Sequence, residues 1–229
     1  MNKAKGDEMR VFIAVIMLLT LAYTKDDTHT GSSTPAHTMQ HHQEMLEAQA
    51  PLALSKEMLN LMHEPMMEEP FLEDDNLDLN FLTNMIPHHQ GAIDASEFLL
   101  KHSKNKQLRA IATQIIQTQK AEIDEFNAII PELKEQKKLY SPKEVTLYNQ
   151  QAKKDMETMH QEMSGLALTE HLNHDFLLSM IPHHEAAIKA SKQILIYTQN
   201  EQIKAIAQKI IQVQEQEIED FKALLQKIH

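Results

Sequence analysis

The chain has 229 residues, a formal net charge of −11, 14 Met, 14 His and no Cys. The missing cysteines exclude disulfides, thiolate zinc sites and cysteine nucleophiles, and an acidic chain without a basic stripe is not expected to bind nucleic acid. The acidic charge instead suits cations. Few glycines and aromatics, together with abundant Gln, Glu, Lys, Ile and Ala in the second half, predict an all-α protein.

An apolar run at residues 11–22, interrupted only by Thr20, marks the N-terminal segment. The run is too short to cross a hydrocarbon layer of ~30 Å as a helix, but it suits the core of a signal peptide. Residues 1–24, starting at Met1 or at Met9, are therefore predicted to direct the chain to the periplasm, with no membrane association after processing. A buried helix is the alternative.

Residues 25–57 combine a linker with a segment rich in Met and His. The first part, residues 25–36, lacks apolar periodicity and predicts a flexible linker. The remainder predicts two short helices separated by Pro51. Its N-terminal cluster is interpreted either as a mobile arm that captures metal or as a tail, and consists of His37, Met39, His41, His42 and Met45.

An internal duplication covers most of the remaining chain. Residues 81–126 align with residues 176–221 at a constant offset of 95, without a gap and with identity at about half of the positions. The predicted organisation is a first repeat at residues 58–130, a connecting segment at 131–155 and a second repeat at 156–229.

Each copy is predicted to form two helices, because apolar residues in its second half recur three, four and seven apart and residues 99–106 contain a polar break. Two hairpins that bury their apolar faces against each other predict an antiparallel four-helix bundle with extra Met/His-rich helices. Residues 140–163 predict a connecting helix that begins with Ser141 as N-cap, Pro142 in the first turn and Glu144 three residues after the cap.

The sequence Met-Ile-Pro-His-His occurs once in each copy. On an α-helix its Met and two His lie at i, i+3 and i+4, so their donor atoms can converge on one side. Core packing does not require duplicated His pairs, and thioether with imidazole in a Cys-free protein favours Cu(I) while accepting Cu(II). The motif therefore predicts a copper site built from Met85, His88, His89, Met180, His183 and His184.

Two further sets of residues are candidates. A Met-His-x-x-Met pattern precedes each copy, and its side chains are either ligands or flexible core filling: Met62, His63, Met66, Met159, His160 and Met163. A Gln-x-x-Glu pattern in the second helix of each copy either faces solvent or faces the histidines, as a ligand or as an acceptor that fixes the imidazole tautomer: Gln119, Glu122, Gln214 and Glu217.

The stretches Met-Ile-Pro-His-His-x-x-Ala-Ile and Ala-x-x-Ile-Ile-x-x-Gln-x-x-Glu-Ile resemble the family catalogued as domain of unknown function 305, over about residues 58–227. The resemblance implies a ferritin-like helical bundle. Through the CopM-like periplasmic proteins of that family, it also implies binding of Cu(I) and Cu(II) by Met and His in the cell envelope, with a role in copper tolerance.

The leading interpretation is a non-enzymatic periplasmic protein that binds copper ions for sequestration, tolerance or transfer to a partner protein. The two His pairs then form one shared site or two separate ones. One alternative is a ferritin-like di-iron or di-manganese oxidoreductase, which normally needs four carboxylates and Glu-x-x-His on two helices, a pattern missing from residues 81–126 and 176–221. The other alternative is a structural helical envelope protein.

Overall fold

The computed structural model describes residues 35–136 and 139–228, with side chains described from residue 52 onward. The described ranges form six α-helices and contain no strand, which confirms the predicted all-α class. None of these helices combines the length and the apolarity needed to cross a membrane. The helices are α1 (Pro35–Glu68), α2 (Leu77–His102), α3 (Lys106–Glu135), α4 (Pro142–Ser164), α5 (Leu172–Tyr197) and α6 (Glu201–Leu225).

The predicted signal peptide, residues 1–24, lies outside the described residues, and so does most of the predicted linker. The side chains of the Met/His cluster at residues 37–45 also lie outside them. These expectations therefore stay predictions.

The two copies of the duplication fold as two helical hairpins, α2–α3 and α5–α6. Their turns are built alike. The side chain of Asn105 accepts hydrogen bonds from the backbone N–H groups of Gln107 and Leu108 at the start of α3, and Asn200 caps α6 in the same manner. Such caps satisfy N–H groups that have no partner inside the helix. The predicted hairpins are confirmed, whereas the ferritin-like connectivity stays a prediction.

The connecting helix α4 begins as predicted. The Ser141 backbone N–H donates to Oε2 of Glu144 at 2.7 Å, and the Glu144 N–H donates to Oγ of Ser141 at 3.3 Å. This reciprocal pair is a capping box, with Pro142 in the first turn where its missing N–H costs no hydrogen bond.

Helix α1 corrects the prediction of two helices separated by Pro51, because residues 35–68 form one helix. A proline removes one helical hydrogen bond but accepts helical dihedral angles, and tertiary contacts override local propensity. The half after Pro51 buries Met58, Met62 and Met66 in the bundle. Its backbone approaches α2 so closely that a Cβ at Gly91 would lie 2.0 Å from the carbonyl oxygen of Met62.

Helices α2 and α5 form the central pair of the bundle, with α1 packed against both of them and α4 packed against α5. Polar contacts also tie the outer helices across this pair. Ser55 of α1 donates to Asp175 of α5 at 2.6 Å, and Asn80 of α2 donates to Asn149 of α4 at 3.1 Å. The outer helices therefore bridge the two repeats.

Two apolar clusters fill opposite ends of the bundle. One joins the end of α2 to the start of α5 and includes Leu99, Leu108, Phe176, Met180 and Phe221. The other joins the start of α2 to the end of α5 and includes Leu77, Phe81, Phe126, Ile194 and Ile210. This pairing means that α2 and α5 run antiparallel. It also brings the middle of each helix, where the His pairs lie, to the same level between the clusters.

Candidate metal site

A layer of buried polar side chains, called here the polar layer, crosses the middle of the bundle between the two apolar clusters. Four imidazoles come from α2 and α5, and an amide with a carboxylate comes from each of α3 and α6. None of these side chains is more than 8 % exposed. Burying so many polar groups costs free energy unless they gain partners, which makes this layer the candidate site. Its members are His88, His89, His183, His184, Gln119, Glu122, Gln214 and Glu217.

The adjacent histidines of each pair face different neighbours, because successive residues on an α-helix point about 100° apart. On α2, His88 faces α5 and His89 faces α3. On α5, His183 faces α2 and His184 faces α6. The helices remain continuous through Pro87 and Pro182, immediately before the pairs.

The four imidazoles form a row, called here the imidazole row. The ring centroids of His88 and His183 lie 3.8 Å apart at its centre. The outer rings lie farther out, with His89 at 6.1 Å from His88 and His184 at 6.2 Å from His183. The duplication therefore brings one imidazole of each copy into contact at the centre of the molecule.

Hydrogen bonds occupy Nε2 of three of these imidazoles. The Nε2–H of His89 donates to Oε2 of Glu122 at 3.0 Å, and that of His184 donates to Oε2 of Glu217 at 2.8 Å. The Nε2–H of His88 donates to the backbone oxygen of His183 at 3.1 Å. An acceptor on Nε2 fixes the tautomer and leaves Nδ1 with a free lone pair.

The Nδ1 atoms of all four histidines are buried without a hydrogen-bond partner, and Nε2 of His183 is unpartnered as well. An unpartnered lone pair in a buried layer is costly, and it is also the group that a metal ion needs. The structure thus places both Glu side chains against the outer histidines, in a position to fix the tautomer.

Burial lowers the pKa of His88 well below its ordinary value, and the nearby rings of His89 and His184 lower it further. Burial and the neighbouring His88 likewise hold the pKa of His183 well below its ordinary value. Both rings are therefore neutral at pH 7, which is the form that coordinates a metal.

The carboxylates of the two copies have different surroundings. Burial alone would raise the pKa of Glu122, but the hydrogen bond from His89 and the nearby Lys209 outweigh it and lower that pKa. Nζ of Lys209 lies 3.5 Å from Oε1 of Glu122. Gln114 occupies the position equivalent to Lys209 in the first copy, so the duplication provides no matching lysine for Glu217.

The two glutamines of the polar layer differ from the carboxylates. Gln119 and Gln214 are each 2 % exposed, and neither their Oε1 nor their Nε2 atoms have a hydrogen-bond partner. Both therefore remain polar groups without an evident structural role.

A second donor cluster lies between α1 and α4. The rings of His63 and His160 are 5.4 Å apart in an edge arrangement, and Nε2 of His63 lies 3.3 Å from the sulfur of Met163. Burial and the nearby His160 lower the pKa of His63 to about 4, and burial lowers that of His160. This cluster unites residues that are 100 positions apart in the chain.

The candidate methionines from Met62 onward, Met163 among them, all lie in the apolar clusters. Met62, Met66 and Met159 belong to one cluster together with Met180, whereas Met85 belongs to the other. The structure therefore does not bring Met85 and Met180 together. Within the described ranges, no three or more His, Asp or Glu side chains are arranged to hold a metal ion.

Met156 is a candidate donor that the sequence patterns above did not single out. It is partly buried on α4 and lines a cleft of about 590 Å³ together with Met66, Met85, Met159 and His88. The signal was present in the spacing, because Met156, Met159 and Met163 follow i, i+3 and i+7 on one helix face.

The model of the family described as Domain of unknown function (DUF305) matches residues 78–225, which is more than half of the chain. The chain belongs to the DUF305 family. Among curated proteins it is 40 % identical over 63 residues to Uncharacterized protein L153 of Acanthamoeba polyphaga mimivirus. That match covers 28 % of this chain and 41 % of the relative, so the chain spans about two fifths of the relative's length.

Two solved structures of CopM are similar to this DUF305 protein. CopM in the Ag-bound form, obtained by soaking, has a TM-score of 0.51 at 24 % identity, over 66 % of this chain and 96 % of that chain. CopM in the Cu(I)-bound form has a TM-score of 0.50 at 25 % identity, with the same coverage. The first likeness concerns the fold alone.

Proposed function

We propose that this protein is a periplasmic copper-binding protein that holds Cu(I), and also Cu(II), for sequestration, tolerance or transfer to a partner protein, and that it is not an enzyme. The observation that carries the proposal is the imidazole row, in which four buried Nδ1 atoms lack a hydrogen-bond partner. Copper is cargo here, and the neutral imidazoles are its donors.

The chemistry of the donors supports copper over harder ions. Thioethers select Cu(I) and imidazoles suit copper among other transition metals, whereas carboxylates and waters suit Mg²⁺, Ca²⁺ or Mn²⁺. A chain with 14 Met, 14 His and no Cys offers soft donors that survive in an oxidising compartment, where thiols are lost. The predicted signal peptide supports the periplasmic location.

The contact between His88 and His183 supports one central site shared by the two copies. Their ring centroids are 3.8 Å apart, and Nδ1 of each ring lacks a hydrogen-bond partner, so the two copies offer adjacent nitrogen donors. His89 and His184, each held by a glutamate, flank this position on either side. Family membership and the likeness to CopM in the Cu(I)-bound form add support.

The rival function, a di-iron or di-manganese oxidoreductase, would use the same polar layer. The buried pairs His89–Glu122 and His184–Glu217 favour it in part. Such sites normally use four carboxylates, and the polar layer holds two.

Competition for metal under anaerobic conditions tests the proposal. The wild type is expected to retain Cu(I) against a Cu(I) chelator and to release Zn²⁺ and Fe²⁺. The double variant His88→Ala/His183→Ala is expected to lose the tight Cu(I) site. The matched control is His171→Ala, because His171 is exposed and its side chain makes no capping hydrogen bond. Equal Cu(I) retention by the double variant and the control, or preferential retention of iron, would overturn the proposal.

A further inference from the structure

The cleft of about 590 Å³ that contains Met156 lies between the C-terminal part of α1, the first half of α2, and helices α4 and α5. Four thioethers line it: Met66, Met85, Met156 and Met159. Three of these methionines are nearly or fully buried, so the cleft presents soft sulfur donors at depth.

Acidic side chains surround these thioethers. Five carboxylates line the cleft: Glu64, Glu68, Glu69, Asp94 and Asp155. The described lining residues include no Lys or Arg. Glu64 and Glu68 of α1, and Glu69 directly after it, are exposed. A cleft lined by one sign of charge raises the local concentration of ions of the opposite sign and speeds their arrival.

His88 connects this cleft to the imidazole row. It belongs to the cleft lining and is 8 % exposed, whereas His89, His183 and His184 are fully buried. Its Nδ1 has no hydrogen-bond partner. Of the four imidazoles in the row, His88 is thus the one that meets the cleft.

We propose that this cleft is the access route by which Cu(I) reaches the imidazole row, an inference that rests on the proposed function. The carboxylates at the mouth gather the cation. The thioethers then hold it in passing, because soft neutral sulfur binds Cu(I) without a proton to lose. His88 takes the ion from the thioethers and passes it to the position shared with His183.

Loading kinetics test the route separately from the site. Cu(I) is delivered anaerobically from a weak coloured chelator, and the absorbance of the chelator gives both the rate and the final copper content. Ala152→Phe places a large ring in the cleft, and Met156→Leu removes one thioether at similar volume. The matched controls are Ala110→Phe and Met67→Leu, since both positions are exposed and outside the cleft.

Ala152→Phe is expected to slow loading by on the order of tenfold, because uptake must then wait for a conformational opening. Met156→Leu is expected to slow it to a smaller extent, and both variants should reach the wild-type copper content. The controls should load at the wild-type rate.

Wild-type loading rates in both cleft variants would overturn the route while leaving the copper site intact. An unchanged rate with reduced final copper content in Met156→Leu would make Met156 a resting ligand, which also contradicts the route. Failure of the wild type to take up any Cu(I) would instead overturn the proposed function.

The carboxylates provide an independent arm of the same experiment. At low salt, the triple variant Glu64→Gln/Glu68→Gln/Glu69→Gln should take up Cu(I) more slowly than the wild type. Raising the salt to about 0.15 M, where charges are screened beyond ~8 Å, should decrease its loading rate less than that of the wild type. The control neutralises three exposed carboxylates outside the cleft, Glu57, Glu135 and Glu170. Equal behaviour of the two triple variants would contradict a role for the acidic mouth.

Discussion

The imidazole of His88 lies 3.8 Å, between ring centroids, from that of His183, its counterpart in the other copy of the duplication. Nε2 of His88 also donates to the backbone oxygen of His183 at 3.1 Å. Two protonated rings at this distance would repel each other, but burial keeps the pKa of both rings low. The contact is therefore stable at neutral pH, and it joins the two repeats at one point.

A shared site makes a stoichiometric prediction. If copper lies between His88 and His183, replacing either residue alone by Ala should abolish the central copper rather than half of it. Copper content after anaerobic loading and gel filtration measures this, with His171→Ala as the control. Retention of half of the central copper in each single variant would show two separate sites.

The glutamates behind the outer histidines should tune affinity. Glu122→Gln and Glu217→Gln each remove the carboxylate that holds an imidazole, and such changes typically weaken metal affinity about 10–100-fold. Glu215→Gln is the control, because its carboxylate is exposed and pairs with Lys192 on the surface. Equal Cu(I) affinity of all three variants in a chelator competition would mean that the carboxylates do not act on the metal.

The buried histidines predict acid sensitivity of the metal-free protein. The pKa of His63 is lowered to about 4, and the pKa values of His88, His160 and His183 are also lowered. The unfolded chain, with ordinary His pKa values near 6.5, binds protons before the folded chain does. The contribution of these histidines to the free energy of unfolding is therefore fully present above about pH 6.5, and it is lost as the pH decreases towards 4.

Urea midpoints of the metal-free protein at pH 7.5, 6 and 5 measure this effect, and His63→Asn should flatten the dependence. Midpoints that do not change between pH 7.5 and 5 would contradict the burial of neutral imidazoles.

Met62 and Met163 are both fully buried in one apolar cluster, but the sulfur of Met163 also contacts a histidine nitrogen. Met62 is fully buried in an apolar cluster, so Met62→Ala should lower the free energy of unfolding by about 2–5 kcal/mol. Met62→Leu, which conserves volume, should cost under about 1.5 kcal/mol and leave copper binding unchanged. Met163 lies 3.3 Å from Nε2 of His63, and Met163→Leu should reduce copper at that cluster.

Thermal or urea unfolding and copper content measure the two effects in the same samples. Loss of copper in Met62→Leu, or wild-type copper in Met163→Leu, would reverse the assignment of core and donor.

Local signals in the sequence anticipated much of the fold. The cap at Ser141, the polar break before α3 and the apolar periodicity of each copy depend on neighbouring residues, and all reappear in the structure. The prediction of a break at Pro51 was wrong, because the burial of Met58 and Met62 against α2 and α5 is not visible in the local sequence.

The arrangement of the site depended on information that local spacing does not carry. Spacing places Met85, His88 and His89 on one side of a helix, yet the antiparallel pairing of α2 with α5 directs His88 to His183 and buries Met85 in an apolar cluster. The contact of Glu122 with Lys209 likewise arises from the packing of the two hairpins. Neither contact can be predicted from sequence spacing alone, because both depend on how the helices pack against one another.

The most direct test of the account is nitrogen NMR of the histidine rings during addition of one equivalent of Cu(I) to the protein labelled with ¹⁵N at histidine. The account predicts that the Nδ1 resonances of His88 and His183 shift with the first equivalent, while those of the exposed His171 do not. If the first equivalent left the imidazole row unchanged and shifted only the resonances of other histidines, the central claim would be contradicted.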